Sequence, residues 1–258
     1  MNDVSSKRVV AALPAPEQAL RSVDAPLLDW PAGVRDTARR HLMAADPDLA
    51  ALIRRIGPCR LKADRAREPF ESLIRAIAHQ QLHARAAEAI LGRLVALPLG
   101  AVSAPDAFPS PDALLALTDE AVRGCGFSGS KTRAMRAVCE ATLAGTVPTR
   151  RQAMRLSDEA LIERLVSLRG IGRWTVEMLL IFSLGRKDVM PVDDFGVREG
   201  YRLIKRLEVQ PKPKVLGEIA QAWSPHRSIA AWYLWRASDE GKPVGKVVRT
   251  VKAPSTTG

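Results

Sequence analysis

At 258 residues with 47% apolar content, the chain can bury a full core as one domain or two lobes, which excludes a peptide-scale or disordered protein. Lysine and arginine number 39 against 28 acids, giving a net charge of +11, an excess that fits a polyanionic partner without choosing among DNA, RNA and membrane. Three widely spaced cysteines (Cys59, Cys125, Cys139) fit neither a disulfide framework nor a zinc motif, and a reducing cytosol is the default.

Residues 1 to about 34 carry four prolines and little periodicity, and read as a loose arm. Lys7-Arg8 and the apolar Val9 to Leu13 resemble a signal peptide only faintly, because the apolar stretch is short and ends in proline. Helical patterning starts at Val34 and runs to Ala44. A second helix, capped by Asp46 or Asp48, ends at Ile56 before Gly57-Pro58. Phe70 to Gln81 and Ala84 to Ala96 are two more helices, joined by Gln81-Leu82-His83. Leu97 to Pro111 is a connector. Ser110-Pro111-Asp112 opens a short helix, Asp119 to Gly124 forms another, and Lys131 to Ala144 follows a cluster of turn residues.

Ser157 is placed to cap a helix whose apolar stripe is Leu161, Ile162, Leu165 and Val166. Gly170 and Gly172 then break it, and a new helix spans Trp174 to Leu184. So tight a turn leaves the amides of Gly170, Gly172 and Arg173 unpaired at a helix N-terminus, an anion site suited to a DNA phosphate. Pro191 before Asp193-Asp194 sets this acid pair at the start of a third helix, 22 positions after Gly172. One acid can cap while the other projects, and a carboxylate beside helix amides is expected to keep a low pKa. Ser224 or Ser228 can cap the last helix, where Trp232 and Trp235 lie one turn apart. From Gly241 the chain reads as a basic flexible tail with Lys242, Lys246, Arg249 and Lys252. No alternating run of strand length appears, so the class is all-α. No apolar run is long enough to span a bilayer.

Leu168-Arg169-Gly170-Ile171-Gly172-Arg173-Trp174-Thr175 and Pro191-Val192-Asp193-Asp194-Phe195-Gly196-Val197-Arg198, at their spacing, resemble the helix–hairpin–helix (HhH-GPD) DNA glycosylases. Within that superfamily the chain is most similar to the 3-methyladenine DNA glycosylase II branch, from about residue 36 to residue 238. The resemblance implies a compact form without the N-terminal β domain of longer members, with an active cleft between two lobes. One lobe would take about 35–69 plus 190–240 and the other about 70–189, with the hairpin at 158–184.

The same resemblance assigns the essential carboxylate to Asp194, leaving Asp193 as a structural cap. It places Trp174, Phe195 and Trp235 around the flipped base, while Trp223 and Trp232 read as core. Trp174 stands where lyase-competent relatives carry a nucleophilic lysine, so base release without strand cleavage is expected. Gln81 or Leu82 would fill the gap left by the flipped nucleotide, with His83 at the minor groove. Gly170, Gly172, Arg173, Thr175 and Lys131 are the expected DNA contacts, with Arg133, Arg136 and Arg198 as further phosphate candidates. The backbone carbonyls of Val166, Leu168 and Ile171 match positions that hold Na+ or K+ when DNA is bound, and no other cofactor is expected. Neither histidine spacing nor the cysteines, of which none follows Cys139, supply a metal or iron–sulfur cluster.

The activity so implied is excision of alkylated purines from double-stranded DNA by a monomer, in the cytoplasm or, in a eukaryote, the nucleus. The alternatives are a non-catalytic module that binds bent or damaged DNA, and a glycosylase for deaminated or oxidised bases.

Overall fold

A computed structural model describes residues 27–29, 32–82, 84–97 and 108–241. Most of the proline-bearing arm, His83, most of the connector after Leu97 and the basic tail therefore lie outside the described residues.

In chain order the elements are β1 (Leu27–Asp29), α1 (Ala32–Ala45), α2 (Pro47–Ile56), β2 (Lys62–Asp64), α3 (Pro69–His79) and α4 (Ala84–Val95). Then come α5 (Pro111–Ala116), α6 (Asp119–Gly124), α7 (Gly129–Leu143), α8 (Arg150–Ala153), α9 (Asp158–Val166) and α10 (Arg173–Phe182). The chain closes with α11 (Phe195–Lys205), α12 (Pro213–Ile219), a 3-10 turn (Ala220–Trp223) and α13 (Arg227–Glu240). The all-α expectation needs one small amendment. β1 and β2 pair antiparallel, with Leu28 opposite Ala63. Three residues per strand are too few to show alternation, and β1 falls in the arm that reads as loose.

Local signals explain most boundaries. Of the two acids offered as the cap of α2, Asp46 performs it, accepting from the Asp48 and Leu49 amides. Ser110, Thr118, Ser128 and Ser157 cap α5, α6, α7 and α9 in the same way. The cap expected from Ser224 or Ser228 on α13 is absent, since His226 holds that position without a side-chain bond. Both serines instead fasten the loop before α11. The Ser224 hydroxyl donates to Asp188, and the Ser228 hydroxyl donates to the Arg186 carbonyl and accepts from the Val189 amide. Arg227 grips Asp188 through Nε at 2.8 Å and Nη2 at 2.9 Å.

Two packing groups share one apolar core. In one, α11 lies along α13 with α2 against both, and α1 packs on α2 and the 3-10 turn. In the other, α3 packs on α4, α7 and α10, and α10 packs on α9. Helices α10 and α13 are buried on nearly every side: Thr175 to Phe182 and Ser228 to Trp235 are each an unbroken buried run. These two central helices and the N-terminus of α11 set the site. Trp223 and Trp232 are core residues, as expected.

A close helix approach occurs at Gly200 of α11, where a Cβ would collide with the backbone carbonyl of Leu234 on α13. Backbone cannot yield as a flexible side chain can. Gly200→Ala is expected to cost at least about 3 kcal/mol, read as a large fall in the urea or thermal midpoint, by forcing α11 off α13.

Candidate active site

The hairpin is built as the glycines suggest, although they act differently. Gly170 has φ +79° and sits against α7, where a Cβ would come within 2.5 Å of the Ala134 Cβ. Gly172 is in extended conformation, not left-handed. It is the exposed N-cap of α10, with open space where a side chain would go. Among the described residues, no protein acceptor takes the amides of Gly170, Gly172 or Arg173, while the Thr175 and Val176 amides bond back to the Gly172 carbonyl. The tip therefore keeps free donors at a helix N-terminus.

Several expected DNA contacts are otherwise engaged. The side chain of Thr175 is buried, and its hydroxyl accepts from Gln80 Nε2 at 3.3 Å, so it cannot face a phosphate. Arg173 forms a bidentate pair with Glu159 at 2.6 and 3.1 Å and reaches Glu177 at 3.1 Å. Lys131 donates to the Ala78 carbonyl at 2.8 Å, closing the C-terminus of α3, and burial lowers its pKa. Arg136 ties Asp119 to the carbonyls of Leu115 and Leu117. Arg133 is exposed, and Arg198 is half-buried with Nε lacking a partner. Val166 ends α9, Leu168 and Ile171 lie in the turn, and the Leu168 carbonyl already accepts from the Ile171 amide.

Where the C-terminus of α3 meets the N-termini of α10 and α11, a cavity of about 370 Å³ opens. Its walls bring together Trp174, Asp193, Asp194, Phe195 and Trp235 with His79 to Leu82. Gln81 is exposed at the rim with φ +57°, a conformation uncommon for a non-glycine residue, and Leu82 beside it is half-buried against the core. Gln80, which the motif reading passed over, ties this rim to the hairpin through the Gly170 carbonyl at 3.1 Å and Thr175.

At the cavity floor Asp194 is 7% exposed. Its Oδ1 accepts from Trp235 Nε1 at 2.8 Å and from the Val197 amide at 2.8 Å, and its Oδ2 accepts from Trp174 Nε1 at 2.7 Å. This corrects the division of labour between the acids: Asp194 is itself the N-cap of α11, and Asp193 is the exposed neighbour. The expected low pKa is also corrected. Burial pushes the Asp194 carboxyl up, against the pull of N–H donors from Trp235, Trp174, Val197 and Gly196. Gly196 leaves room for this grip, since a Cβ would come within 3.0 Å of Trp235 Cδ1 and 3.2 Å of Asp194 Oδ1.

The tryptophans serve this site through their edges. Trp235 is fully buried and stacks on Phe182 with ring centres 5.4 Å apart, so one of its faces belongs to the core. Trp174 is half-buried, as is Phe195. A carboxyl so held is, when ionised, a positioned negative charge at the cavity floor, placed to stabilise a developing cation.

Comparisons with known proteins identify the family. Residues 74–226 match the model of the HhH-GPD superfamily base excision DNA repair protein. The chain belongs to this superfamily. It is 44% identical over 211 residues to DNA-3-methyladenine glycosylase 1 of Schizosaccharomyces pombe, covering 80% of this chain and 90% of that protein. The solved structure of that yeast's 3-methyladenine DNA glycosylase Mag1 in complex with abasic DNA superimposes with a TM-score of 0.74, covering 79% of this chain and 97% of that one. A DNA-3-methyladenine glycosidase from Bacillus halodurans, 32% identical, superimposes with a TM-score of 0.65 over 83% of this chain and 91% of its own. No helix among the described residues is long and apolar enough to cross a membrane.

One buried acid escaped the motif reading. Glu177 is 2% exposed in α10, one turn after Trp174, and its Oε2 has no hydrogen-bond partner. A lone acid inside the apolar run Val176 to Phe182 is the signal that marks it. Burial pushes its pKa up to about 7, opposed by Arg173 and reinforced by Asp193 and Asp194. The folded state therefore binds more protons than the unfolded one between about pH 4.5 and 7, and stability falls as pH rises through that window. In Glu177→Gln this loss should vanish. Relative to the parent, the variant should gain up to about 3 kcal/mol between pH 4 and pH 8, read by urea unfolding at both ends.

Proposed function

We propose that this protein hydrolyses the N-glycosidic bond of alkylated purines of the 3-methyladenine and 7-methylguanine type in double-stranded DNA, beginning base excision repair. The observation that carries the reading is Asp194, gripped by two indole N–H groups and a helix amide on the floor of the aromatic-lined cavity. The cavity's size is within the range of small-molecule sites, about 300 to 1,000 Å³. A base inside a duplex cannot reach such a floor, so the nucleotide must swing out of the stack.

The chemistry follows from charge. As the bond between sugar C1′ and the purine nitrogen breaks, its electron pair leaves with the base and positive charge grows on the sugar. An N-alkylated purine is already cationic, departs neutral and needs no proton. Its arrival also favours the ionised form of Asp194, offsetting the burial that raises the pKa. At ~4 Å and an effective dielectric of about 20, the attraction between carboxylate and sugar cation is about 4 kcal/mol, roughly a thousandfold in rate. Water then adds its oxygen to C1′ and gives up a proton, which the outer lone pairs of Asp194 can accept.

No lysine lines the cavity among the described residues, and Trp174 lines it at the motif position where, by the resemblance, lyase-competent relatives carry a lysine. Base release should therefore leave an intact abasic strand. The free amides of the hairpin tip and the exposed Gln81 are the parts best placed to meet phosphate and the vacated base stack. The α9 and turn carbonyls of Val166, Leu168 and Ile171 fit a monovalent ion better than a divalent one, because all are neutral and Leu168 has one lone pair already used. When bound, such an ion would supply positive charge next to a phosphate.

Asp194→Asn keeps the shape and part of the hydrogen bonding while removing the charge. It is expected to release 3-methyladenine from methylated duplex DNA about a thousandfold more slowly while still binding abasic DNA. Release at the parent rate would instead favour a binding module without catalysis. A lesion panel read in parallel distinguishes alkylated from deaminated and oxidised substrates.

A further inference from the structure

His79 ends α3 and lines the cavity with its side chain 7% exposed. Its Nε2 lies 3.2 Å from Glu88 Oε1 on α4. Its Nδ1 has no hydrogen-bond partner among the described residues, yet does not belong to the fully enclosed unpaired atoms. A carboxylate can only accept, so Glu88 fixes the proton of the neutral ring on Nε2. The remaining nitrogen is then an acceptor, on a ring that lines the cavity. Glu88 does not line the cavity, and its side chain is 37% exposed. It therefore acts through the ring as a positioning residue.

The N–H donors of the floor are committed, and the acceptors left to the cavity are the His79 nitrogen, the outer lone pairs of Asp194 and the exposed Asp193 carboxylate. The indole N–H groups of Trp174 and Trp235 are spent on Asp194, and the Gln80 amide nitrogen on the hairpin. An acceptor with a set tautomer discriminates between purines by what they carry at C6. Adenine-type bases present an amino group that donates to it, whereas guanine-type bases present a carbonyl oxygen that repels it. A buried site built for a hydrogen bond rejects the analogue that cannot make it far more strongly than an apolar wall does.

We propose that the His79–Glu88 pair reads the C6 edge of the flipped purine and biases excision toward 3-methyladenine over 7-methylguanine. This deepens the proposed function and rests on it.

Both bases can be scored from one sample, by chromatography of the purines released from methylated duplex DNA. His79→Leu removes the acceptor, and the ratio of 3-methyladenine to 7-methylguanine release rates should fall about tenfold, chiefly through 3-methyladenine. His79→Gln restores a carbonyl acceptor and should recover most of the ratio. In Glu88→Lys an ammonium, which can only donate, faces Nε2, which shifts the ring proton to Nδ1 and should likewise lower the ratio. Equal losses for both bases in His79→Leu, or an unchanged ratio in Glu88→Lys, would show that the pair is structural and overturn the inference. Should His79→Leu fail to fold, Glu88→Lys decides alone, because it alters the proton's place without emptying the wall. If the parent protein releases neither base, it is the glycosylase reading that fails.

Discussion

The site depends on one arrangement, a carboxylate held on both oxygens by the edges of two indoles. Asp194 is anchored from three directions: the amide end of its own helix, Trp174 on α10 and Trp235 on α13. Each anchor belongs to a different element, so the carboxyl is positioned by the packing of all three. That explains why α10 and α13 are buried so completely, and why α11 must approach α13 closely enough to require Gly200. Loosening any of the three helices would move the charge by the fraction of an ångström on which electrostatic stabilisation depends.

Burial and hydrogen bonding oppose each other at this group. A carboxyl removed from water is driven toward its neutral form, and the N–H donors draw it back. On the proposed reading, the balance makes Asp194 responsive to the charge of its guest, since a cationic purine tips it to the ionised state and a neutral one does not. Neighbouring Glu177 has the same predicament with less help, being buried with one oxygen unpaired. The proximity of these acids concentrates unfavourable charge in α10 and α11 that the surrounding apolar packing must outweigh.

Much of this was legible in the chain. Helix starts announced themselves through serine, threonine and aspartate caps, and the two glycines of the hairpin marked a tight turn because helix cannot be continued through them. Motif spacing brought Trp174, Asp194, Phe195 and Trp235 to one cavity. What stayed hidden were relations that only packing creates. Nothing in Asp193-Asp194 tells which acid caps, because either can fill the position. Nothing in the composition shows that Arg173, Arg136 and Lys131 are already satisfied by Glu159, Asp119 and backbone carbonyls. Trp235 reads as a pocket wall from its motif and lines the cavity, yet one of its faces is taken by Phe182, a partner 53 positions earlier. Short elements such as β1, α8 and α12 carry too few residues for periodicity to register.

Gln80 draws these parts together. Its amide nitrogen bonds to the Gly170 carbonyl in the hairpin and to Thr175 at the start of α10, while its backbone sits between His79 in the cavity wall and Gln81 at the rim. The loop with free amides and the loop that borders the cavity mouth are therefore mechanically one body. A shift of either strains these two bonds, so the seat of a duplex backbone on the hairpin is coupled to the position of the opening beneath it.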